Sequence, residues 1–67
     1  MPLTWADAGS LGRALHARFP TRDPLTIRLP DLERWVREVD GFSAASEKPT
    51  PRALEAIQAK WYEAFQG

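Results

Sequence analysis

The chain contains no cysteine, and that excludes disulfide staples, thiolate catalysis and any Cys-based zinc site. Its uninterrupted apolar runs are only a few residues long, far short of the roughly 20 residues of a membrane-spanning helix. Nothing in the first residues reads as a signal peptide. These absences together predict a protein of the cytoplasm. An excess of one charge is missing too: nine Lys and Arg balance nine Asp and Glu. Residues 1–40 carry six of each sign and residues 41–67 three of each, so neither half is a basic or an acidic tail. A basic face for non-specific nucleic-acid binding is not expected from that balance.

Histidine occurs once, at His16, with no Cys, His or acid three or four residues away. A metal centre or a base-activated nucleophile needs such neighbours, so His16 is expected at the surface or at an edge. Ser10, Ser43 and Ser46 have no local base, and the glycines fit no phosphate-binding loop. No residue set for catalysis is present, and the expected role is non-enzymatic.

What the chain has is a set of large side chains: three Trp, three Phe and one Tyr beside Leu, Ile and Val. Sixty-seven residues form a single domain (1–67), which buries only about 60% of its unfolded surface. Three helices are expected. The first begins near Thr4 or Asp7, since Thr4-Trp5-Ala6-Asp7 has capping-box spacing. Leu11, Ala14, Leu15 and Phe19 form its apolar stripe, and Pro20 ends it. Gly12 inside this helix costs about 1 kcal/mol relative to Ala, which implies close approach of another element.

Thr21–Pro24 reads as a turn, and Leu25–Leu29 alternates as a short strand or extended link. Pro30, Asp31 and Glu33 suit the start of a second helix. Leu32, Trp35, Val36 and Val39 are its apolar stripe, and Glu33 with Arg37 has the favourable i,i+4 order. Gly41 supplies a left-handed stop, with Phe42 folding back on Val36. A polar loop spans Ser43–Pro49. Thr50 then caps a third helix with Pro51 at its first position and Leu54, Ile57, Trp61 and Phe65 inward. Trp35 and Trp61 are expected in the core, with Trp35 touching Ile57 or Trp61. Trp5, near the terminus, is undecided between core and surface. Arg28, leaving the extended link, is expected to pair with a carboxylate across the domain.

An ordered series of short motifs spans Leu3 to about Glu63. Trp5 with Asp7 is followed by Leu11-Gly12, Ala14-Leu15 and Pro20. Asp23-Pro24 comes next with Thr26, Arg28 and Asp31. Trp35-Val36, Phe42, Leu54-Glu55-Ala56-Ile57 and Trp61 complete the series. In this the chain resembles the IscX family, small accessory proteins of bacterial iron–sulfur cluster assembly. The resemblance implies a mainly α, three-helix modified winged-helix domain with a short extended wing. It implies an adaptor that docks on the cysteine desulfurase through an acidic face, binds ferrous iron (Fe2+) weakly and tunes assembly alongside frataxin, with a ferredoxin as a further partner. The partner-binding carboxylates are expected at Asp7, Asp23, Asp31, Glu38 and Asp40. Glu38, Asp40 and Glu47 are the candidate iron ligands. Where the family carries an aspartate run after its phenylalanine, this chain has Ser43-Ala44-Ala45-Ser46 after Phe42, which predicts weaker iron binding. The alternative reading of the same fold is a nucleic-acid-binding winged helix.

Overall fold

The computed structural model describes residues 2–44 and 46–67. The three expected helices are α1 (Ala8–Arg18), α2 (Leu29–Arg37) and α3 (Pro51–Gln66). Among the described residues the only β-type pairing is a parallel bridge between Leu3 and Phe42. Leu3 N–H donates to the Gly41 carbonyl and Ser43 N–H to the Leu3 carbonyl, both at 2.8 Å. The N-terminal segment is thereby tied to the chain leaving α2.

The helix α1 starts later than Thr4 because the Asp7 carboxylate turns back. It accepts the Thr4 backbone N–H at 2.7 Å and the Thr4 hydroxyl at 3.1 Å. That closes a turn before the helix, and Asp7 is left at the N-cap position with no side-chain bond into α1. Leu11 and Leu15 are fully buried. The main packing of the molecule is α1 against α3. Gly12 permits it: a Cβ there would lie 2.6 Å from the Trp61 backbone nitrogen and 2.8 Å from the Lys60 carbonyl carbon. The expected close approach is therefore backbone against backbone.

The link between α1 and α2 begins with a turn where a short strand or extended link was expected. Pro24–Thr26 is a 3-10 turn. The Asp23 side chain accepts the Leu25 N–H at 2.9 Å, and Thr26 N–H donates to the Asp23 carbonyl. An Asp-Pro pair sets up this turn through the proline ring and the Asp oxygen, and it outweighs weak alternation over five residues. Within Leu25–Leu29, extended geometry is confined to the two caps, Ile27 (φ −97°, ψ 138°) and Arg28 (φ −82°, ψ 146°). No strand-built wing forms among the described residues.

In α2 Leu32 and Val36 are buried and Val39, just beyond, is partly so. Glu33 and Arg37 pair at 2.9 Å as expected. The helix stops at Arg37, before Gly41. Gly41 (φ 84°) instead serves a tight turn in which Phe42 N–H donates to the Val39 carbonyl. The positive φ is the conformation that glycine adopts without steric cost. Phe42 meets the Trp5 ring edge-on at 4.8 Å, a contact not anticipated from helix geometry. The Thr50 hydroxyl caps α3 by accepting the Ala53 N–H at 3.1 Å, with Pro51 in the first turn. Leu54, Ile57 and Trp61 are buried.

Trp61 is in the core as expected, and Trp5, which the sequence left undecided, joins it. Trp61 is fully buried and Trp5 is only 7% exposed. Trp35 is half-buried, although it does face Trp61 with ring centroids 6.3 Å apart. In the polar loop, Ala44 is buried and Ala45 lies outside the described residues.

Candidate partner-binding surface

A groove of about 600 Å³ runs beside α1 and the end of α2. Leu3, Ala14, Ala17 and Val39 give it apolar walls, and Arg18, Glu38 and Asp40 give it charge. The N-terminal bridge brings Leu3 to it, and the early stop of α2 leaves Glu38 and Asp40 outside the helix. Glu38 forms a 2.9 Å ion pair with Arg18. Asp40 is exposed and has no ion pair among the described residues.

The other three expected partner-binding acids are used locally and do not line this groove. Asp7 holds the Thr4 turn, Asp23 caps the 3-10 turn, and Asp31 pairs with Arg34 at 3.3 Å in the first turn of α2. Glu38 and Asp40 alone of the five come together.

The candidate iron ligands are divided in the same way. Glu38 and Asp40 line the groove. Glu47 lines a second depression of about 330 Å³ beside Trp5 and Thr50. No cluster of three or more His, Cys, Asp or Glu suited to a metal ion forms among the described residues. Arg18 already neutralises Glu38, so this donor set does not fit a closed metal site. His16 is half-buried on α1, with its Nδ1 buried and unbonded, and its ring stands edge-on to Phe65 at 6.4 Å. No charged or polar side chain is fully buried among the described residues. No helix among them is long and apolar enough to cross a membrane.

Sequence reasoning missed several of these features. The Arg18–Glu38 pair joins residues twenty positions apart, and no local pattern signals it. Arg28 was expected in a cross-domain ion pair, yet it is exposed and unpaired among the described residues. As the cap of α2 it leaves the turn on extended backbone, and no carboxylate of the described residues pairs with it. Leu25, expected in a short strand or extended link, is 60% exposed on the 3-10 turn. The Asp-Pro before it was the available signal.

Comparison with known proteins finds relatives of this sequence over nearly its whole length. The model of the iron–sulphur cluster assembly family matches residues 3–66. The uncharacterized protein PA3808 of Pseudomonas aeruginosa is 38% identical over 63 residues, which cover 94% of this chain and 96% of that protein. The matched span runs from the bridge at Leu3 through the last turn of α3, so it takes in the groove and every helix. The chain belongs to the iron–sulphur cluster assembly family of IscX-type proteins.

Proposed function

We propose that this member of an iron–sulfur cluster assembly family acts as an adaptor that docks on the cysteine desulfurase. The observation that carries the reading is the family match over residues 3–66. The groove is the docking surface: Leu3, Ala14, Ala17 and Val39 offer apolar contact area, and Glu38 and Asp40 offer carboxylates to a basic partner. Asp7, Asp23 and Asp31 serve the fold first, because each already has a local partner.

Asp40→Lys is the cleaner probe, since Asp40 has no ion pair among the described residues, whereas Glu38→Lys also breaks the pair with Arg18. Charge reversal at Asp40 weakens binding to the desulfurase about tenfold at low salt, and moderate salt narrows the difference. Titration calorimetry reads both. Unchanged affinity together with no salt dependence would rule the groove out.

Ferrous iron has a smaller place in this reading. The chain lacks the aspartate run after Phe42, and Arg18 competes for Glu38. Anaerobic titration is expected to show weaker Fe2+ binding than in a relative that carries the run. Equal binding would mean that Glu38 and Asp40 recruit further donors.

A further inference from the structure

Leu25 is the only large hydrophobic side chain left exposed among the described residues. It does not sit on a loose loop. Its own N–H is bonded by Asp23, and the Gln58 side chain donates to the Pro24 carbonyl at 2.8 Å, anchoring the turn on α3. Pro24 beneath it is buried. A leucine held outward on a braced turn adds nothing to the core.

Two arginines flank it. The Arg22 guanidinium lies 5.1 Å from the centre of the Trp35 ring, over its half-buried side chain. The cation–π contact draws the guanidinium to the ring, and an arginine carries N–H donors in a fork that fits a carboxylate. Arg22 and Arg28 are both exposed and have no ion pair among the described residues. The arginines of α2 contrast with them, since Arg34 pairs with Asp31 and Arg37 with Glu33. The one acid in the turn, Asp23, has its carboxylate on the Leu25 N–H. Although the whole chain is neutral, this turn presents two guanidiniums without an ion pair among the described residues, on either side of Leu25 in the sequence.

We propose that the turn from Arg22 to Arg28 is a docking surface for an acidic protein segment that carries an apolar side chain. Arg22 and Arg28 take the carboxylates in charge-assisted, forked hydrogen bonds, and Leu25 with the edge of Trp35 takes the apolar group. This surface has the opposite charge to Glu38 and Asp40, and it stands whether or not the desulfurase occupies the groove. A nucleic acid fits it less well. Two arginines neutralise few phosphates, and an exposed leucine gains nothing from a phosphate backbone.

The test is an NMR titration of the whole isotope-labelled protein with a short blocked peptide alternating glutamate and leucine. A lysine–leucine peptide and a short single-stranded oligonucleotide are run beside it. The expected result is saturable shifts at the backbone amides of residues 21–29 and at the Trp35 indole with the acidic peptide, and none with the lysine peptide. Arg22→Ala and Leu25→Ser each weaken binding about tenfold, the scale of losing one charge-assisted contact or one apolar anchor. Both sites are exposed, so the dispersion of the spectrum confirms that the variants still fold. Arg52→Ala, at an exposed arginine of α3 without an ion pair, leaves binding unchanged. The proposal is overturned by an absence of shifts at millimolar peptide, by shifts centred elsewhere, or by equal binding of the lysine peptide. Tighter binding of the oligonucleotide, insensitive to Leu25→Ser, also overturns it in favour of a nucleic-acid surface.

Discussion

Trp5 and Trp35 border the same core, yet the chain covers them in different ways. Over Trp5 the loop after α2 closes down: the indole N–H donates to the Ala44 carbonyl at 3.0 Å and lies 3.2 Å from the Glu47 carbonyl. Phe42 packs on its ring, and the Arg37 guanidinium lies 5.3 Å from the ring centre. Over Trp35 there is only a turn. Phe19 lies beside it at 4.9 Å, and the outer face is left to Arg22. The residue nearer the chain terminus is therefore the better buried. Position on a helical stripe brings a side chain to the edge of the core, and the segment that crosses above it decides whether water is excluded.

The contrast makes its largest prediction in stability. Trp5→Ala removes a buried aromatic and leaves the Ala44 carbonyl without its donor, at a cost of about 3–5 kcal/mol. Trp35→Ala gives up only partial burial and should cost about 2 kcal/mol. Urea denaturation of the two variants measures the difference, and a reversed order would break the comparison.

A smaller effect is expected at Gly12, which belongs to neither tryptophan environment. Gly12→Ala should gain about 1 kcal/mol of helix propensity and still destabilise, because its Cβ collides with the α3 backbone and not with a flexible side chain. The net loss is expected at about 1–2 kcal/mol. A thermal melt that rises instead would show that α1 and α3 can separate without loss, and that the core is looser than the Trp5 end implies.

The smallest effect sharpens the account of Trp5. Glu33→Gln removes the ion pair of Arg37, whose guanidinium also lies over the Trp5 ring. Both partners are partly solvated, so the loss should stay near 0.5 kcal/mol and shrink with salt. A loss comparable to Trp5→Ala would mean that Arg37, and not the indole hydrogen bonds, holds that end closed.

Local chemistry was legible in the residues. Thr50-Pro51 starts α3, and Pro30 with Asp31 opens α2. Glu33 and Arg37 pair across one turn, and Gly12 marks where another backbone comes close. The Asp-Pro turn was also in view, but the alternation after it was read as a short strand or extended link. Of the candidate surface, the acids could be counted and their grouping could not. Asp7 turned back onto Thr4 and Asp23 capped the 3-10 turn, while Glu38 and Asp40 met at one groove.

By itself the sequence determined the number of helices, most of their starts and the residues that face inward. These depend on caps, proline, glycine and the 3.6-residue period, all of which act within a few positions. Only the tertiary structure decided that Trp5 is sealed and Trp35 is not, that Arg18 reaches Glu38, and that Leu25 stays outside near two arginines without an ion pair among the described residues. Those outcomes depend on which distant segment passes over each side chain. Burial and ion pairing are set by neighbours in space, and a pattern of neighbours along the chain does not specify them.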